Sequence, residues 1–321
     1  MSLLDASQQL MLSNLRNQRE PKIGGIRDWI LSSSYRLEQS PKKKNVALLV
    51  DTSTDVVEAL AFDIGRYSSA AIETMQQIKV EEGSPYANGW IIIKAYYSGY
   101  FAANTLMRLF GHFCTNLEQR HVTAIHEMAG LYQVPLPVSD KSRLSSGTYV
   151  GRYSASDGSV ILRSLHGVGG GAHKQFWFAF KEFLDVFDRE ISDCSLSKIQ
   201  RNEARTSIKA LLVALCQENH PNGNWLSEIR NAVNYRLEFG VWHPYFKNEI
   251  LGEDLVGLIL ESFSSPPRFR SSDPKAHDIS RLTDCCSYIF SWMLSLLKQL
   301  AALSKGGPLH FLQIGPFALL S

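Results

Sequence analysis

The longest stretch of regular spacing starts at Val56, from which Val57, Leu60, Ile64, Tyr67, Ala71, Ile72 and Met75 follow largely at three- and four-residue intervals. Asp51–Thr54 supplies capping residues ahead of it, so the spacing predicts a long helix reaching about Lys79. Gly83, Pro85, Asn88 and Gly89 mark a turn. Trp90–Gly111 then resumes the helical period, with Ile93, Tyr97, Tyr100, Phe101 and Phe110 able to share a face. These two segments are expected to pack as a helical hairpin. The pattern changes over Thr148–Ala155 and Ser159–Leu165, which are rich in valine, isoleucine, tyrosine and threonine and flank Asp157-Gly158, and this predicts a β-hairpin. Helical spacing returns through Phe176, Trp177, Phe180, Phe183, Leu184 and Phe187, and again through Ile208, Leu211, Leu212 and Leu215. Further helices are expected at Trp225–Phe239, Asp254–Phe263 and Ile279–Leu303.

The expected fold is mainly α, a helical bundle with a small inserted β-hairpin. Residues 1–50 are polar, hold Gly24-Gly25 and Pro41, and end in Lys42-Lys43-Lys44, so they read as a loosely docked arm with a short helix near its start. Residues 51–263 form the helical domain with the hairpin near 148–165. Residues 264–321 hold a Pro/Ser linker, Ser264–Pro274, and an apolar helix expected to pack on the bundle.

Composition narrows the class of protein. With 45% hydrophobic and 20% charged residues in 321, the chain can bury a core. A net charge of +2 announces neither nucleic acid nor membrane in bulk, although it leaves room for a local basic groove. Five cysteines without a C-x-x-C spacing exclude a disulfide framework and a zinc site, and nothing in the sequence points to a metal or a cofactor. The first residues lack the apolar run of a secretion signal. The apolar stretch Cys285–Leu297, bracketed by Asp284 and Lys298, is too short to span a bilayer. A cytoplasmic protein with no membrane partner is expected.

The chemistry concentrates in Trp225–Phe239. At roughly 100° per residue, Ser227, Arg230, Asn231, Asn234 and Glu238 fall on one arc of the helix, with the apolar residues spread over the remainder. Either this stripe lines a cleft in which the planar fork of Arg230 holds a phosphate, or it is a solvated helix face.

Two segments, Lys94–Gly111 (KAYYSGYFAANTLMRLFG) and Trp225–Tyr245 (WLSEIRNAVNYRLEFGVWHPY), together resemble the signature helices of the HEPN (higher eukaryotes and prokaryotes nucleotide-binding) superfamily of helical RNA-cleaving domains. Ala172–Phe183, with its His and Trp, extends the resemblance. It implies an HEPN-like bundle and a metal-independent endoribonuclease of a bacterial antiphage or toxin–antitoxin system. Arg230, Asn231 and Tyr235 would be catalytic, and Asn234, Arg236 and Glu238 would contact substrate. It also implies a homodimer bringing two motif helices together, with RNA or a nucleotide and a defence-system protein as partners. The family's histidine, four to six residues beyond the arginine, is absent: Tyr235, Arg236 and Leu237 stand there, and His243 lies too far along. Tyrosine is a poor base near pH 7, so the alternative is a degenerate RNA-binding or scaffold subunit.

Arg120 and His126 offer a second arginine–histidine pair at the right spacing, in a poorer context. Three weaker signals complete the inventory. Ala47–Thr54 (ALLVDTST) is similar to an aspartic-protease turn but has no second copy, and reads as a helix cap. Gly167–Gly171, between His166 and His173, lacks the Lys-Ser/Thr ending of a phosphate loop and reads as a connector. Lys42–Lys44 is a solvated charge run.

Overall fold

The computed structural model describes residues 2–18, 24–38, 45–80, 88–136, 144–217, 220–243, 252–262, 267, 277–304 and 307–320. In chain order these form α1 (Ser2–Leu10), a 3-10 turn (Ser13–Asn17), α2 (Ile26–Ser32), β1 (Tyr35–Glu38), β2 (Asn45–Val50), α3 (Ser53–Val80), α4 (Asn88–Leu109), β3 (His112–Leu117), α5 (Gln119–Tyr132), β4 (Gly147–Ser154) and β5 (Ser159–Ser164). Then follow α6 (Ala172–Glu190), a 3-10 turn (Ile191–Asp193), α7 (Lys198–Leu215), α8 (Trp225–Tyr235), α9 (Gly252–Glu261), α10 (Asp278–Ala302) and α11 (His310–Gln313). The fold is mainly α with a small antiparallel sheet.

The hairpin of α3 and α4 is the frame, and α4 is its most enclosed member: it packs on α3, α10, α8, α9 and α6. Gly99 makes the α10 contact possible, because a Cβ there would lie 2.8 Å from the Cys286 Cβ. Such an approach is open only to a residue without a side chain. The apolar run of α10, from Cys285 through Leu297, is buried against this surface, and among the described residues no helix is long and apolar enough to cross a membrane.

The predicted hairpin is not an isolated insertion. β4 and β5 are inner strands of a five-stranded sheet ordered β1-β2-β5-β4-β3, so the N-terminal residues supply its far edge. Residues in register share a face: Leu37, Leu48, Val160 and Tyr153 line up across four strands, as do Val46, Leu162, Gly151 and Phe113, and these rows turn towards the core.

Nor do the described segments within residues 1–50 form a loose arm. Leu3, Ala6 and Ser7 of α1 are buried against α7 and α10, where Ser7 Oγ accepts from Trp292 Nε1 at 3.0 Å. Ile26, Trp29 and Ile30 of α2 and Tyr35 of β1 are fully enclosed. Each of these segments is only four to nine residues long and carries two to four apolar side chains. Their burial is decided by the rest of the fold, and no local period shows it. Lys42–Lys44, the Gly83–Pro85 turn and most of the Ser264–Pro274 linker lie outside the described residues.

Candidate functional site

The apolar side of α8 fixes its rotation: Trp225, Leu226, Ile229, Ala232 and Val233 are buried, which turns Arg230 onto α4. Arg230 is only 6% exposed. Its Nη2 donates to the Tyr97 hydroxyl, and its Nη1 donates to Asn231 Oδ1 at 2.9 Å and makes a long contact of 3.5 Å to the Tyr235 hydroxyl. The guanidinium carbon lies 5.3 Å from the ring centres of both Tyr97 and Tyr235 and 5.6 Å from that of Tyr96. Its Nε is buried with no acceptor.

No carboxylate meets this charge among the described residues. Burial pulls the Arg230 pKa down, and the Tyr97 hydrogen bond with the neighbouring phenols pushes it up to a net rise. A phenol is neutral at pH 7, so at that pH the cation has polar acceptors and ring faces but no compensating anion.

A histidine stands beside it. His173, in the first turn of α6, places its ring 5.7 Å from those of Tyr96 and Tyr97 and 4.9 Å from that of Tyr100. Burial and then the Arg230 charge press its pKa down to about 4, so it is a neutral imidazole at pH 7. Its tautomer follows from the donors. Trp177 Nε1, which can only donate, gives its hydrogen to the Tyr96 oxygen at 2.9 Å, and the Tyr96 hydroxyl then donates to His173 Nδ1 at 2.9 Å. The remaining proton sits on Nε2.

No family model, no curated protein and no solved structure matches this chain.

The expected site residues divide. Arg230, Asn231 and Tyr235 come together, and Asn234, one turn beyond Arg230, is half-buried. Arg236 and Glu238 are instead engaged with each other and with the helix. Arg236 Nε meets Glu238 at 2.6 Å and its Nη1 meets Glu228 at 2.7 Å, while Glu228 also reaches Lys174 at 3.2 Å. Glu238 does not continue the polar stripe, because α8 ends at Tyr235 and the left-handed Leu237 (φ 55°) and Phe239 (φ 67°) redirect the chain. That chain folds back onto the start of α4. Trp242 Nε1 donates to Val233 O at 2.7 Å, and Gly89 N donates to Val241 O at 3.1 Å, which clamps α8 against Tyr97.

Arg120 and His126 are not brought together as a pair. They sit about 120° apart around α5, where Arg120 binds Glu118 at 3.1 Å and His126 is exposed. His121, between them, is buried with its Nδ1 accepting the Glu118 N–H at 3.1 Å. His166 is tied to Ser145, Ser164 and the Ser146 carbonyl, a bracing role for the loop that follows. Among the described residues no group of His, Cys, Asp or Glu side chains is arranged to hold a metal.

Sequence reasoning missed His173 and the two tyrosines as members of the site. The Arg230–Tyr97 bond spans 133 residues, and no spacing rule reaches that far. The available signal was the Tyr96-Tyr97 pair and the His-to-Trp step at 173 and 177, both inside segments that carry the HEPN resemblance.

Proposed function

We propose that the chain is an HEPN-like RNA-targeting protein in which Arg230 docks a phosphodiester and His173 stands in for the histidine absent from α8. The observation that carries this reading is a nearly buried arginine with no carboxylate partner among the described residues, held by phenols beside a neutral imidazole. A buried cation is stabilised most by an anion. A phosphate oxygen makes a stronger, charge-assisted bond than the phenol and amide oxygens that Arg230 now holds. In metal-independent cleavage Arg230 would stabilise the charge of the pentavalent phosphate, and His173 Nε2–H would face a phosphate oxygen or the leaving 5′-oxygen. A dimer and a host-defence role belong to the same proposal through the resemblance.

One observation favours the second reading, an RNA-binding protein that does not cut. The His173 Nδ1 is occupied by the Tyr96 hydroxyl, whose pKa burial pushes up, so this imidazole is built to donate a hydrogen bond more than to abstract a proton. Incubation of the purified protein with total RNA in EDTA separates the two. Cutting that is lost in both Arg230→Met and His173→Phe establishes the nuclease. Retention without cutting, lost only in Arg230→Met, establishes the binding protein. RNA that is neither held nor cut removes both.

A further inference from the structure

A second set of arginines lies beyond the far end of the same α4 face. Arg27, Arg66, Arg108 and Arg120 line a cleft of about 410 Å³ together with Tyr67, Phe101 and two carboxylates, Asp28 and Asp63. Arg108 forms its floor, paired with Asp63, its guanidinium carbon 4.3 Å from the Tyr67 ring centre. At the rim, Arg27 and Arg120 both grip the Glu118 carboxylate, and the exposed Arg66 has no carboxylate partner among the described residues. The rim already holds one oxyanion, and it keeps unused donors for another.

This cleft is joined to Arg230 by rings. Tyr97 carries the Arg230 contact on its ring and hydroxyl; its ring centre is 6.2 Å from that of Phe101, which is 6.4 Å from that of Tyr67 at the cleft. All three side chains are half-buried. From Tyr97 to Arg108 the helix rises about 16 Å. A cationic point at each end, with half-buried aromatic rings between, is the arrangement that follows a single-stranded backbone while its bases stack.

We infer that the arginine cleft is a second phosphate subsite for a single RNA strand whose first phosphate lies on Arg230, with Tyr97, Phe101 and Tyr67 as the stacking track between them. This rests on the reading of Arg230 as a phosphodiester dock. It makes the ligand an unpaired oligonucleotide several residues long.

The test is fluorescence anisotropy with a labelled uridine dinucleotide and a labelled octanucleotide, on the wild-type protein, on Arg66→Ala/Arg120→Ala and on Arg230→Met. Arg66 and Arg120 are both exposed, so the double variant keeps the fold. In the wild type the octamer binds at least tenfold more tightly than the dinucleotide. In the double variant that ratio falls to below threefold, and the slope of log affinity against log salt for the octamer drops by roughly 1.4. Phe101→Leu lowers the ratio without changing the salt slope. Binding that needs Arg230 but is indifferent to length and to the rim arginines overturns the track and leaves the Arg230 dock standing. Binding that needs the rim arginines but not Arg230, or no binding at any length, overturns both.

Discussion

Two arginines are drawn into this fold, and they are neutralised in opposite ways. Arg108 is 1% exposed and has its full complement: Asp63 at 3.1 Å, the Asn104 carbonyl and side-chain oxygens at 3.1 Å, and the Cys114 carbonyl at 3.5 Å. Burial is the largest influence and works against its charge, but Asp63, Tyr67 and Cys114 together bring the net pKa shift upward. Arg230 is nearly as enclosed, yet it has two phenols, one amide and an idle Nε. One ionic network is closed by a carboxylate and the other is not, so the first belongs to the architecture of α3 and α4, and the second is the one that the proposed function assigns to a ligand.

The sharpest way to break this contrast is through stability. Arg108→Met strands the Asp63 carboxylate, itself only 14% exposed, and is expected to cost about 3–5 kcal/mol of unfolding free energy. Arg230→Met removes a cation that no carboxylate compensates, in a pocket of rings that a methionine can fill. That change is expected to stay within about 1 kcal/mol of the wild type. Urea unfolding of both variants decides it. Equal losses would mean that Arg230 is as architectural as Arg108.

Ligand binding reverses the order. Loss of a charge-assisted phosphate contact is expected to weaken RNA binding by Arg230→Met by about 2 kcal/mol, or roughly thirtyfold. A well-folded Arg230→Met protein that retained RNA as the wild type does would remove Arg230 from any dock.

Acid gives a third measure. His173 beside Arg230 is held neutral, with its pKa down from 6.5 to about 4, and His112 on β3 is pressed further, to about 3, by burial and then by Arg152. Both pKa values are lower in the fold than in the unfolded chain, where an imidazole titrates near 6.5. Their contribution is therefore complete above pH 6.5 and is lost as pH falls through 6.5 towards 4 and 3. Allowing for the partial exposure of His173, the two together should remove about 1–3 kcal/mol over that window. Unfolding midpoints of His173→Phe and His112→Phe should be flatter over the same range. Unchanged slopes would mean that neither imidazole is held neutral by its surroundings.

These contrasts also show what a sequence can and cannot display. The long helices were legible because Val56–Met75 and Trp90–Gly111 repeat an apolar face over many turns, and Asp157-Gly158 marked its hairpin within a residue of where the strands lie. The five-stranded sheet was not, since β1 is four residues long and gains its meaning only from β2 and β5. In the site, Arg230 and Asn231 were visible as part of a local stripe on one helix, and Tyr235, at the end of that helix, stood where the resemblance expects a histidine. His173 and Tyr97 enter from α6 and α4, and their relation to Arg230 is a product of packing. The sequence also carried the stripe about one turn too far, to Glu238, because a left-handed Leu237 leaves no mark that composition can show.

The smallest predicted effect separates an occupied dock from a waiting one. The Tyr97 hydroxyl accepts from the charged Arg230 Nη2 in the free protein, where a bond of this kind at a half-buried phenol is worth about 0.5–1.5 kcal/mol. Tyr97→Phe keeps the ring over the guanidinium and removes that acceptor, so the free protein should lose this amount. If the phenol only fills the place of a phosphate oxygen, the complex has already given up the bond and loses nothing. Removing the hydroxyl then raises the free state alone, and RNA affinity should increase by the corresponding factor of about two to ten. A phenol that stays on Arg230 in the complex, bridging guanidinium and phosphate, gives the opposite sign. Isothermal titration of Tyr97→Phe against the same octanucleotide reads that sign directly. Weaker binding would place Tyr97 among the ligand's own contacts.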